Sequence, residues 1–170
     1  MKRLKLITDQ DILGTPGTSH AQPRVTARAI VRNPRGQYAV LCEQRDGFYC
    51  LPGGGIEPHE TPWQAVRREI REETGCECTA LELLGYVEEN RAHSDCTRIS
   101  WYFAAETDSL LLRPQFTQAE AAEETTVSWY SWQDVCRLIA GTIYPTVHRR
   151  FLQARDTAAL EAYRDTYPHS

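Results

Sequence analysis

GGGIEPHETPWQAVRREIREETGC, Gly53 to Cys76, opens with three adjacent glycines and then carries Glu60, Glu69, Glu72 and Glu73. Thr61-Pro62-Trp63-Gln64 has the chemistry of a helix start. Threonine caps, proline suits the first helical position, and glutamine completes a capping box. Gly75 is a natural stop, so about four helical turns are predicted between them. At 100° per residue, taking Glu69 as zero, Glu73 falls near +40° and Glu72 near −60°, an arc of about 100°. Ala65 lies inside that arc. Trp63, Val66 and Ile70 adjoin it between about +60° and +120° as the expected core stripe. Gln64, Arg67 and Arg71 point the other way, towards solvent.

Like charges three and four residues apart cost a few tenths of a kcal/mol per pair, more if partly buried. Arg68, four before Glu72, offsets one of them. A divalent cation offsets all three, and carboxylate oxygens are the ligands magnesium prefers. A bare glutamate-rich face would simply be solvated. The adjacent glycines and the fixed spacing favour a metal instead.

Seven positions of this stretch match the Nudix box, G-x5-E-x7-R-E-U-x-E-E-x-G-U with U apolar. They are Gly54, Glu60, Arg68, Glu69, Glu72, Glu73 and Gly75. By chance, at average residue usage, seven such matches arise at roughly one in 10⁸. Cys76 at the last position is a mild departure, since cysteine packs like a small apolar residue. Leu51-Pro52-Gly53-Gly54-Gly55-Ile56-Glu57 also resembles the lead-in of this family.

The resemblance implies hydrolysis of a nucleoside diphosphate linked to another moiety, with Mg²⁺ or Mn²⁺ as cofactor and water attacking phosphorus. Metal ions neutralise the anionic substrate and activate the water. It implies Glu69, Glu72 and Glu73 as metal ligands, with the Gly53 carbonyl beside them. Arg68 would orient Glu69, and Glu60 would hold the loop by a salt bridge. The general base is either Glu69 or a residue of a later loop. The family often adds a carboxylate shortly before a strand tryptophan. Glu123, six before Trp129, is chosen here, with Glu120 and Glu124 as rivals.

Arg28 and Arg45 are the candidates for substrate phosphates, although each also reads as a surface strand residue. Trp101, Phe48 and Tyr49 read as core rather than as base-stacking residues. His20, His59, His93, His148 and His169 are scattered and form no site.

The 170 residues suggest one domain. Its core is expected over about 22–140, followed by a helical segment at about 143–165. Residues 24–31 and 37–45 read as a hairpin about the Asn33–Gly36 turn. Residues 48–51 form a short apolar run. Strand-like segments follow at 76–80, 83–89, 98–106 and 127–132. Residues 107–126 read as a polar loop and Asp134–Ala140 as a short helix. From Thr146 to Arg164 the pattern is helical, with Val147, Phe151, Leu152, Ala159 and Leu160 facing the core. Residues 1–20 match no assignable pattern. Mixed strands flanked by helices give an α/β (α+β) sandwich.

The net charge of −4 argues against an extended nucleic-acid footprint, and mildly against an RNA-end substrate. No apolar run is long enough to span a bilayer. No signal peptide is read at the N-terminus, and the six cysteines read as reduced thiols. A cytoplasmic location is the expectation. The sequence leaves the oligomeric state open, a homodimer included. The competing functional reading is a catalytically silent nucleotide-binding or sensor module on the same fold. Loss of box glutamates would mark it, and none is lost.

Overall fold

In the computed structural model, residues 2–108 and 113–168 are described. Ser109–Leu112, within the expected polar loop, and His169 lie outside them. Among the described residues the chain runs β1 (Arg3–Thr8), α1 (Asp9–Leu13), β2 (Arg24–Arg32), β3 (Tyr38–Glu43), β4 (Phe48–Cys50), β5 (Gly53–Gly55) and α2 (Pro62–Thr74). It continues through β6 (Cys78–Arg91), a 3-10 turn (Ala92–Ser94), β7 (Cys96–Thr107), α3 (Gln118–Ala122), β8 (Thr125–Tyr130), α4 (Trp132–Ala140) and α5 (Val147–Thr166).

The sheet order is β1-β6-β7-β2-β3-β4, with β5 also paired to β2 and β8 to β3. Alternation along β2 decides the layers. Ala27, Ala29 and Val31 pack with Val66 and Ile70 of α2 and with Phe103. Ile30, on the opposite face, packs with Tyr102 under Val135, Ile139 and Phe151 of α4 and α5. The result is the expected mixed sheet between helices. No helix among the described residues is long and apolar enough to cross a membrane.

Helix α2 has the termini read from the sequence. Thr61 Oγ1 accepts from Gln64 N–H at 3.3 Å and Gln64 Oε1 accepts from Thr61 N–H at 2.8 Å. Gly75 closes the helix in the left-handed region at φ 71°, its N–H donating to Arg71 O. Thr61→Ala should therefore cost about 1 kcal/mol, read as a lower midpoint in urea denaturation.

Four expectations need correcting. The Asn33–Gly36 turn forms, with Gly36 N–H on Asn33 O, but β2 and β3 share only the Arg32–Tyr38 pair. The edge of β2 that a hairpin would use is taken by β5, through Thr26–Gly55 to Arg28–Gly53. Strand β3, buried from Tyr38 to Cys42, pairs instead with β8 and β4. Segments 76–80 and 83–89 are one strand, β6, whose register shifts at Leu83/Gly85. Gly85 takes φ 147° there, as a bulge allows, while Leu81 and Glu82, between the two segments, pair with Ala105 and Ala104. Strand β8 runs 125–130, and Ser131 is the N-cap of α4, accepting from Asp134 N–H. Trp63 is 44% exposed, not core. Its ring lies edge-on over Phe103 at 5.2 Å.

Residues 3–8, for which no assignment was made, form β1 parallel to β6, and only Ile7 of it is fully buried. The expected loop at 107–126 contains the short helix α3. Of the five α5 residues assigned to the core, Phe151, Leu152, Ala159 and Leu160 are buried, and Val147 packs against the same cluster.

Candidate active site

The glycines of the expected loop form strand β5, and their lack of side chains lets it touch β2 and helix α2. Gly53 sits at φ 133°, and a Cβ there would strike the Ala27 carbonyl and lie 2.5 Å from Arg28 Cα. Gly54 meets the helix instead. A Cβ on it would lie 2.5 Å from Glu69 Oε1 and 2.8 Å from Glu69 Cδ. The Glu69 carboxylate thus lies against bare backbone.

Glu73 and Glu69 are 2% and 7% exposed. Gly53 N–H donates to Glu73 Oε2 at 2.6 Å. Burial, and then the charge of Glu69, push the Glu73 pKa well above the usual carboxylate range, against the opposing pull of Arg28 and the Gly53 bond. Burial likewise raises Glu69, opposed by its bond from Arg68. Glu72 is half-exposed.

Arg68 joins the helix to the loop. Its Nε and Nη2 grip both oxygens of Glu60 at 3.0 and 2.9 Å, and Nη2 also donates to Gly55 O at 3.0 Å. Its Nη1 donates to Glu69 Oε1 at 2.8 Å and Glu72 Oε2 at 3.2 Å. The fork on Glu60 raises the Arg68 pKa further and lowers that of Glu60. The box arginine and Glu60 therefore have the contacts expected of them. Besides Glu60, Arg68 reaches Glu72 as well as Glu69.

Two buried carboxylates of like charge, both disfavoured as anions, adjoin a third carboxylate and the bare backbone of β5. Hard oxygen donors of this kind suit Mg²⁺ or Mn²⁺. Among the described residues no three acidic, histidine or cysteine side chains converge on one ion-sized point. Glu69 and Glu72 lean on Arg68, and Glu73 on the Gly53 N–H. The residues fit the ion in chemistry, and their carboxylates must swing off those partners to hold it.

Glu120 is close enough for its charge to raise Glu73. Glu123, the residue chosen by spacing to Trp129, lies between α3 and β8. Glu120 is held at the start of α3, accepting from Thr117 N–H at 2.7 Å. Arg28 lies beside the site: its Nη1 donates to Leu51 O at 2.9 Å, its charge lowers both Glu69 and Glu73, and its buried Nε has no partner among the described residues. Arg45 is not brought there. It is exposed, and its Nη1 reaches Ala122 O at 3.4 Å. Phe48 is core, and Trp101 packs on Tyr86 at 5.6 Å.

Sequence reasoning missed Arg113. With Arg68, Arg71, Glu72 and Gln115 it lines a cavity of about 360 Å³ on the flank of α2. Gln115 N–H donates to Glu72 O at 2.6 Å and holds that loop to the helix. Nothing in the spacing of residues 107–126 marks this contact. A larger cavity of about 600 Å³ lies at the far end of β2, between Arg32, Leu81 and Tyr167, and contains none of the box residues.

Residues 22–154 match the model of the NUDIX domain. The chain is 28% identical over 125 residues to a MutT-like protein of Streptomyces ambofaciens, covering 72% of this chain and 73% of that one. It is 49% identical over 41 residues to an 8-oxo-dGTP diphosphatase of Proteus vulgaris, covering 24% and 37%. A NUDIX hydrolase from Nitrosomonas europaea superposes with a TM-score of 0.61 at 21% identity, over 85% of this chain and 90% of that one. The chain spans less than half the length of the curated relatives it matches first, between 29% and 45% of each.

Proposed function

Since the chain belongs to the NUDIX domain family, we propose that it hydrolyses a nucleoside diphosphate linked to another moiety, with Mg²⁺ or Mn²⁺ held by Glu69, Glu72, Glu73 and the Gly53 carbonyl. The observation that carries this reading is the contact between loop and helix. An intact box is drawn into one network in which two buried carboxylates face the glycine strand β5. A bound ion supplies charge neutralisation at the phosphates and a more acidic water.

The remaining roles belong to the protein's own side chains. Arg68 holds Glu69 and Glu72 at fixed positions and ties both to Glu60. Arg28, whose charge acts on both Glu69 and Glu73, binds a phosphate oxygen. The arginine-lined cavity flanking Glu72 takes the anionic part of the substrate away from the base. A nucleoside triphosphate is the first substrate to test, because the relatives named above include a diphosphatase of one. A cytoplasmic location belongs to the same reading and is supported by six unpaired cysteines.

The decisive experiment is a panel of nucleoside triphosphates, nucleotide sugars, ADP-ribose, dinucleoside polyphosphates and NADH, each with Mg²⁺ and Mn²⁺, read by product mass. The expected product is a nucleoside monophosphate from at least one of them, formed only with metal. Tight nucleotide binding without product under either ion would overturn the reading in favour of a silent binding module.

The choice between loop acids is tested separately. Glu120→Gln should lower kcat about 10²-fold if Glu120 assists proton transfer or metal binding. Glu123→Gln should leave it within about twofold, since surface substitutions are usually near neutral. The reverse ranking would restore Glu123.

A further inference from the structure

The segment before the box, Leu51–Gly53, has its backbone polar groups tied down from three sides. Arg28 Nη1 donates to Leu51 O at 2.9 Å, Ala29 N–H to Pro52 O at 2.9 Å, and Gly53 N–H to Glu73 at 2.6 Å. Pro52 has no N–H. The fourth tie comes from α5, which the sequence left without a role: Leu51 N–H donates to Asp156 Oδ2 at 3.0 Å. Asp156 lies beyond the part of the chain that the family model matches, residues 22–154.

Asp156 is 0% exposed, and its other oxygen is fixed twice, by the Tyr102 hydroxyl and by Arg155 Nε at 2.8 Å. Arg155 and Tyr102 are themselves fully buried. A buried arginine–aspartate pair is seldom a net gain over apolar residues of the same volume, because desolvation offsets the attraction. Its presence here calls for a positional reason. The backbone amide two residues before Gly53 supplies one.

We propose that Asp156, braced by Tyr102 and Arg155, is a positioning residue that sets the Leu51–Gly53 turn, and through it the Gly53 carbonyl, for the metal site. The metal role of that carbonyl rests on the function proposed above, whereas the setting of the turn does not.

The test uses the full chain as Asp156→Asn and, because a buried charge change can compromise folding, as the milder Tyr102→Phe. Hydrogen exchange of the metal-free proteins, well below melting, is read at Leu51 and at the Gly53–Gly55 amides against the β2–β7 ladder. Binding of Mn²⁺ alone is read by paramagnetic resonance. For Asp156→Asn the turn amides should exchange about tenfold faster while the β2–β7 amides stay unchanged. Affinity for Mn²⁺ should fall about tenfold, in the range typical for partners of metal ligands. Tyr102→Phe should shift both readings the same way by less. Unchanged turn amides, or faster exchange spread equally over turn and ladder, would overturn the proposal and leave Asp156 a stability residue only. If the unaltered protein binds no Mn²⁺, the proposed function fails, while the exchange contrast still decides the role of Asp156.

Discussion

Glu73→Gln is expected to reduce metal-dependent turnover by about 10³-fold or more without lowering the melting temperature of the metal-free protein. Glutamine fills the same volume, and its carbonyl can still accept the Gly53 N–H now held at 2.6 Å. What disappears is a carboxylate that burial and the charge of Glu69 already disfavour as an anion, so a neutral group of the same shape costs the fold little. An ion held there as proposed would lose a formal charge of its site, and the substrate's phosphates would lose their counter-charge with it. The same variant should forfeit any rise in melting temperature that Mn²⁺ gives the unaltered protein, since stabilisation by a ligand requires affinity for it. Steady-state kinetics and thermal melts with and without Mn²⁺ check both halves.

Gly53→Ala is expected to cost about 3 kcal/mol or more, lowering the melting temperature by roughly 6–12 °C for a domain of this size. At φ 133° a side chain is strained whatever the space, and here a Cβ also meets rigid backbone at Ala27 and Arg28. Gly54→Ala makes the useful contrast. The atoms its Cβ would meet first are the carboxylate end of Glu69, which can swing aside, rather than backbone. That variant should lose little stability and much activity. Thermal melts and turnover on the same preparations separate the two glycines: the first is needed by the fold, the second by the position of Glu69.

Helix α2 was legible because its signals are local. Thr61, Pro62, Gln64 and Gly75 act within one turn of each helix end, and the box glutamates keep a spacing that chemistry demands. The strand pairing was not legible, because nothing in residues 24–45 tells that β5 will take the edge of β2. Strand β6 was read as two segments on either side of residues 81–82, although it runs unbroken past its register shifts against β7. The choice among the loop acids was not legible for a related reason. Spacing to Trp129 favours Glu123, whereas the start of α3 brings the charge of Glu120 to bear on Glu73. Arg113 and Asp156 could not be read at all. Each reaches the site across the fold, from a loop and from the last helix, and no short motif encodes such an approach.

A divalent cation among the α2 carboxylates is the claim on which the rest depends, and anomalous diffraction from crystals soaked in Mn²⁺ tests it most directly. One peak is predicted in contact with oxygens of Glu69, Glu72 and Glu73, with Glu73 drawn off the Gly53 N–H and Glu69 off Arg68. Saturating Mn²⁺ that left no peak there, with those carboxylates still on Arg68 and Gly53, would contradict it.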